Sequence, residues 1–230
     1  MKIRAITFDL DDTLWPIAPT ILEAERTLHR WLEAHAPTVA ASYSIERMRE
    51  LRPEAFAWAE ANRSTHDLRG VRRYQIGLAF ARAGGDPSLL GTAYEVFEHA
   101  RQEVRLYPDV LENLERLAAR YPIAGITNGF ADLGRAGLGA FFRFSLAAGV
   151  FGVAKPDRSI FDAACERLGC APAEVLHVGD DPHADVIGAH AAGLRSAWIN
   201  RKGASWSHTG AAPHAVCTDL HELVAWLEAC

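Results

Sequence analysis

Three acids in four residues, Asp9, Asp11 and Asp12, stand in Phe8-Asp9-Leu10-Asp11-Asp12-Thr13-Leu14-Trp15 with no base among them. They follow Ile3-Arg4-Ala5-Ile6-Thr7-Phe8, whose apolar alternation predicts a buried strand. Asp9 and Asp11 lie two residues apart where that strand ends. Side chains alternate along extended chain, so an exposed carboxylate pair needs the strand to break there. Strand ends of open α/β sheets are also where ligands bind. Acids this close repel one another and make sense if a cation or a shared proton holds them together. An acidic surface turn or a helix cap would account for the same residues without chemistry.

Three further motifs follow in order. Ile123-Ala124-Gly125-Ile126-Thr127-Asn128-Gly129 is an apolar strand ending in Thr-Asn. Lys155 stands in Ala154-Lys155-Pro156-Asp157, and beside Lys2 and Lys202 it is one of few lysines among 24 basic residues. Val175-Leu176-His177-Val178-Gly179-Asp180-Asp181 ends in paired acids, with Asp185 shortly after. With Asp-x-Asp-x-Thr-Leu at the front, this ordered set resembles the haloacid dehalogenase-like superfamily, which is mostly phosphatases. The resemblance covers the whole chain.

That resemblance implies a chemistry. Asp9 would attack phosphorus and become an aspartyl-phosphate, splitting one hard displacement into two easier ones. Asp11 would protonate the leaving alkoxide and then deprotonate the water that attacks the phospho-enzyme. Thr127 would donate its hydroxyl to a phosphoryl oxygen, with Asn128 beside it. Lys155 would meet the phosphate as a compact point charge. Such charge is needed, since two like unit charges roughly 4 Å apart repel by about 4 kcal/mol at an effective dielectric of about 20. Mg²⁺ would be held by Asp9, the main-chain carbonyl of Asp11, and Asp180. Asp181 and Asp185 would orient Asp180, waters or Lys155. Asp180 and Asp181 could exchange roles, and Asp185 could instead be an acid favoured at a helix N-terminus. His177 reads as structural.

Asp11 separates subclasses of the superfamily. Its dehalogenases lack an acid there, because an ester to carbon needs no protonated leaving group, and its ATPase pumps carry Thr. Phosphoester hydrolysis or transfer is therefore expected, on a small phosphorylated metabolite. A phosphomutase would share every one of these residues, and a binding protein that keeps the fold without turnover is the alternative from another class. The motifs also look similar to a bacterial subgroup associated with flavin mononucleotide and the ribitylaminouracil phosphate precursor of riboflavin.

The elements that must position these residues fall into two patterns. From Trp15 to about Tyr107 the apolar positions recur at helical spacing, with breakers at Pro37, Pro53, Gly84-Gly85-Asp86-Pro87 and Pro108. This predicts an insert of about four helices. It is rich in aromatics and arginine: Trp15, Trp31, Trp58 and Tyr74 accompany Arg47, Arg49, Arg63, Arg69, Arg72 and Arg73. That composition fits either a helical core with a solvated basic face or a lid that stacks a flat ring. From Pro108 onward strands and helices alternate, which predicts a parallel sheet. The fold class is thus α/β, and the resemblance names it a Rossmann-like core, residues 1–15 and 108–230, with a helical cap at 16–107. Residues 201–214 read as one long loop.

Composition narrows the partners. The net charge of −5 with no basic block argues against a nucleic-acid partner. No apolar run approaches the roughly 20 residues that span a bilayer. Met1-Lys2-Ile3-Arg4 leads directly into a strand, and Cys165, Cys170, Cys217 and Cys230 form no C-x-x-C pair. Reduced thiols in a cytoplasmic protein are the simplest expectation.

Overall fold

The computed structural model describes residues 2–209 and 211–229, so Met1, Gly210 and Cys230 lie outside the described residues. The chain divides into two compact units, one of Met1–Pro16 with Arg105–Cys230 and one of Ile17–Val104.

The first unit is built on six strands: β1 (Ala5–Phe8), β2 (Ile123–Thr127), β3 (Ser145–Ala147), β4 (Val175–Gly179), β5 (Arg195–Ile199) and β6 (Ala215–Cys217). All neighbours pair in parallel, in the order β3-β2-β1-β4-β5-β6. Every residue of β1, β2 and β4 is buried. That is the signature of a parallel sheet covered on both faces, with Thr7, Thr127 and His177 as the polar residues it buries. The α/β class and the parallel core are as the sequence predicts. The order reverses between β1 and β4, so the crevice at their carboxyl ends is the topological switch point of the sheet. Asp9 follows β1 and Asp180 follows β4 there.

The second unit is helical: α1 (Ile17–His35), α2 (Pro37–Ser42), α3 (Ile45–Glu50), α4 (Arg52–Ala61), α5 (Leu68–Ala83) and α6 (Leu90–Arg101). Six helices stand where about four are expected. Pro37 is the first residue of α2 and Pro53 the second of α4, within the first turn where the missing N–H costs nothing, so they start helices rather than only ending them. Ser44 N-caps α3 by accepting the Arg47 N–H. The arginines anticipated for a lid are largely engaged inside this unit. Arg49 and Arg72 both pair with the buried Glu25. Arg72 also covers the Phe97 ring, and Arg69 pairs with Glu98. Trp58 and Tyr74 stack with ring centroids 4.3 Å apart.

In the first unit α7 (Val110–Ala118), α8 (Ala148–Phe151), α9 (Arg158–Leu168) and α10 (Gly188–Ala191) lie between strands, and α11 (Leu220–Ala229) follows β6. Asp185, which could have been an acid at a helix N-terminus, lies instead inside a turn. Residues 182–187 form a π-helical turn that leads into the short α10. Among the described residues no helix is long and apolar enough to cross a membrane.

Candidate active site

The loop after β1 is fixed by its own backbone. The Asp9 N–H donates to the Val178 carbonyl at 2.8 Å, which ties the end of β1 to β4. The Leu14 N–H then closes on the Leu10 carbonyl, and the Asp12 N–H on the Trp15 carbonyl at 2.7 Å. Asp12 pays for this tight turn with φ 61°, a conformation Asp tolerates better than most side chains. The Thr13 hydroxyl donates toward Asp9 Oδ2 at 3.1 Å, with Asp180 Oδ1 at 3.3 Å. Three residues of the acidic run thus take different surroundings within one turn.

Lys155 reaches this crevice from the loop before α9. Its Nζ donates to Asp9 Oδ1 and to Asp185 Oδ1, both at 2.6 Å. All three side chains are almost wholly buried. The Lys155 backbone is held by Asn128 after β2. The Asn128 amide nitrogen donates to the Lys155 carbonyl at 3.0 Å, and its Oδ1 accepts the Lys155 N–H at 2.8 Å. Asn128 was expected to face a phosphate beside Thr127. Its side chain instead matches a peptide group, donor to acceptor and acceptor to donor, and so positions Lys155. Thr127 is buried at the end of β2, and its Oγ1 accepts the Gly129 N–H at 2.9 Å.

Asp185 is the most heavily compensated acid. Oδ1 receives Lys155 and, at 3.1 Å, His177 Nε2; Oδ2 accepts the Asp181 N–H at 2.9 Å. Burial pushes its carboxyl up, but Lys155 and His177 outweigh that and hold it well below the usual carboxylate range. The ionised Asp185 makes His177 Nε2 a donor, so Nδ1 accepts the Thr7 hydroxyl at 2.8 Å. His177, expected to be structural, therefore links β1 to the acid that pairs with Lys155. Gly179 permits this approach, since a Cβ there would lie 2.2 Å from the Asp185 carboxyl carbon.

Of the neighbouring acids, Asp180 faces Asp9. Asp181 turns away: its exposed carboxylate accepts the His183 and Ala184 N–H groups and caps the turn at 182–187. Only its backbone reaches the site. Asp11 accepts the Trp15 indole N–H at 2.8 Å.

Lys155 brings one positive charge to three carboxylates. Burial works against the ammonium, but Asp185 and Asp9 outweigh it and keep Lys155 protonated far above its ordinary range. Asp185 claims most of that compensation. Burial then raises Asp9 well above the usual range despite Lys155, with Asp185 and Asp180 adding to the rise. Burial and the nearby acids Asp185 and Asp12 push Asp180 up to about 7. Carboxylate oxygens of Asp9, Asp180 and Asp185 all lie within 4.8 Å of one another. Asp185 takes Lys155, His177 and a backbone N–H, whereas Asp9 shares Lys155 and, among the described residues, Asp180 receives only the Thr13 hydroxyl, so Asp9 and Asp180 are the pair left short of positive charge. Hard oxygen donors with a charge deficit suit a divalent cation such as Mg²⁺.

Arg201 was read only as the start of a loop. It follows β5 and grips the same turn from outside. Its Nε and Nη2 donate to the Thr13 carbonyl at 3.2 and 2.9 Å, and its other bonds go to both oxygens of Asp109 at 3.0 and 2.9 Å. The guanidinium lies over the Tyr107 ring, 3.9 Å from its centroid. No motif flags it; its position one residue past Asn200, beyond a strand end beside the crevice, was the available signal.

Parallel order, a switch-point crevice and a buried cluster of carboxylates with one lysine define a Rossmann-like α/β protein whose site is built around an aspartate at a strand end. Residues 3–193 match the haloacid dehalogenase-like hydrolase family, and the chain belongs to it. The chain is 35% identical to the 5-amino-6-(5-phospho-D-ribitylamino)uracil phosphatase of Escherichia coli K12, over 86% of this chain and 84% of that protein. It is 31% identical to the phosphoserine phosphatase of Thermus thermophilus, over 96% and 98%. Among solved structures it resembles a 2-haloacid dehalogenase from Pseudomonas syringae, at 36% identity, TM-score 0.89 and 99% coverage of both chains.

Proposed function

We propose that the protein is a Mg²⁺-dependent phosphatase that hydrolyses a small phosphate monoester through an aspartyl-phosphate at Asp9. The observation that carries this reading is a lysine-bridged Asp9 two residues before Asp11, whose carboxylate is held by the Trp15 indole. Asp9 and Asp180, with the main-chain carbonyl of Asp11, would hold the cation, which supplies charge opposite the phosphoryl group. Lys155 neutralises a phosphate oxygen and keeps Asp9 in place. The Thr127 hydroxyl is available to donate to a phosphoryl oxygen, because its bond to Gly129 uses it only as an acceptor. Asp11 would serve as the acid that protonates the leaving oxygen and then as the base that takes a proton from water.

The substrate we favour is the ribitylaminouracil phosphate of riboflavin biosynthesis or flavin mononucleotide. The Escherichia coli relative, matched over most of both chains, supports that choice. A cytoplasmic setting agrees with the free thiols of Cys165, Cys170 and Cys217. The likeness to a dehalogenase favours a second reading, in which Asp9 displaces halide from a 2-haloacid. Asp11 weighs against it.

Phosphate release from a panel of esters with Mg²⁺, wild type beside Asp9→Asn, tests the proposal. Release from the flavin-type substrates, lost in the variant, is the expected result. Release from sugar phosphates alone would leave the chemistry and remove the substrate. Halide release from 2-chloropropionate without metal would overturn the phosphatase reading. Transfer to a bisphosphorylated product without free phosphate would assign a mutase instead.

A further inference from the structure

Trp15 is completely buried and belongs to the sheet-bearing unit. Its indole N–H points at Asp11 Oδ1, 2.8 Å away. Backbone geometry holds the two residues in register: Asp11 and Trp15 form a β-bridge, and the Asp12 N–H donates to the Trp15 carbonyl. Tyr107 tightens the same turn by donating its N–H to the Leu14 carbonyl at 3.0 Å. The indole therefore has little freedom to leave its partner.

An indole nitrogen is a donor and never an acceptor. The carboxyl oxygen it touches is thereby the oxygen without the acidic proton. We propose that Trp15 is the positioning residue of the general acid: it fixes the Asp11 carboxyl and confines its transferable proton to Oδ2. This rests on the phosphatase reading given above. In the first half-reaction an Asp9 oxygen bonds to phosphorus, the bond from phosphorus to the leaving oxygen breaks, and the Asp11 Oδ2 proton passes to that oxygen. In the second, water bonds to phosphorus and gives a proton back to Oδ2. The Asp9–phosphorus bond breaks and phosphate departs. Oδ1 stays on the indole N–H throughout, so the proton leaves from and returns to one atom.

The idea makes a prediction that packing alone does not. An alkoxide must be protonated as it leaves, whereas p-nitrophenolate is stable enough to leave as the anion. The parameter kcat/KM covers the steps up to the aspartyl-phosphate, so it isolates proton donation. Trp15→Phe keeps an aromatic ring and removes the N–H. It should lower kcat/KM at least about tenfold for the best alkyl phosphate of the panel, part of the roughly 100-fold or more that a general acid supplies. For p-nitrophenyl phosphate the loss should stay under about threefold. Phospho-enzyme breakdown, which still needs Asp11 as base, should slow and produce a burst of p-nitrophenolate. In an Asp11→Ala background Trp15→Phe should cost nothing further, because coupled residues are not additive.

Equal losses on both esters would make Trp15 a packing residue and overturn the proposal, as would unchanged turnover of the alkyl ester. Should the phenylalanine variant not fold, benzothienylalanine at position 15 keeps the indole shape with sulfur in place of N–H and enters the same assay. If Asp11→Ala itself spares the alkyl ester, the general-acid role fails and the proposal falls with it. A wild type inactive on both esters removes the phosphatase reading.

Discussion

Lys155 shows how much one side chain can be asked to do. It neutralises Asp185, holds Asp9 and is itself held through its backbone by Asn128. Removing one member of a buried ion pair strands the others, at roughly 3–5 kcal/mol. Lys155→Ala should therefore abolish phosphate release and also lower stability by about that amount, read from the midpoint of urea unfolding. A loss of activity with an unchanged midpoint would mean that Asp9 and Asp185 are not stranded as described. The identity of Lys155 was legible in the sequence because it stands in order with three other motifs; alone it would read as an exposed Lys before a proline turn. The roles of Asn128 and His177 were not. An Asn after a strand reads equally as a ligand or a clamp, and a buried His declares its partners only when strands β1 and β4 are aligned. Asp180 and Asp181 could not be ranked from spacing either, since the choice depends on which of them caps the following turn.

Among the connecting elements, the segment after β5 is the one that spacing left blank. Arg201 pins the catalytic turn through the Thr13 carbonyl while Asp109, at the start of α7, accepts it at both oxygens and also accepts the Leu220 N–H. Burial pushes the Asp109 carboxyl up, but the hydrogen bonds from Arg201 and Leu220 outweigh it and leave it below its ordinary 3.8. The sign follows directly. A carboxyl depressed in the folded state contributes stability above its unfolded value, and that contribution is lost as pH falls below about 3.8 toward the folded value. Asp109→Asn should thus lower the melting temperature at neutral pH, and its deficit against wild type should shrink below about pH 4. A deficit independent of pH would show that the charge of Asp109 contributes nothing. Strand positions were legible because short, mostly apolar runs end at turn or acidic residues, and the structure buries them along their whole length. The turn at 182–187 was not, because a π-helical turn leaves no distinct period in so short a segment.

At the scale of the molecule, each unit has its own interior polar device. In the helical unit that device is Glu25, buried and gripped by Arg49 and Arg72 from two other helices. Glu25→Gln should weaken α1 against α3 and α5. It is expected to raise amide exchange in those helices while protection of β1, β2 and β4 stays unchanged; faster exchange in the strands would contradict this independence. The α/β class could be read from alternation after Pro108, and the helical insert from periodicity before it. The number of helices could not, because a proline that breaks one helix may equally open the next, as Pro37 and Pro53 do.

The hydrogen bond from Tyr107 N–H to the Leu14 carbonyl has an evolutionary meaning. It joins the chain just before it departs into residues 17–104 to the chain just after it returns. The ends of that excursion are stitched together on the sheet-bearing unit itself, so the helical segment is topologically a detachable loop. Such a segment can be lengthened, recombined or exchanged between paralogues at a single stitched point without disturbing any strand register. Selection can then vary one cassette while the sheet and the residues at its carboxyl ends are inherited unchanged.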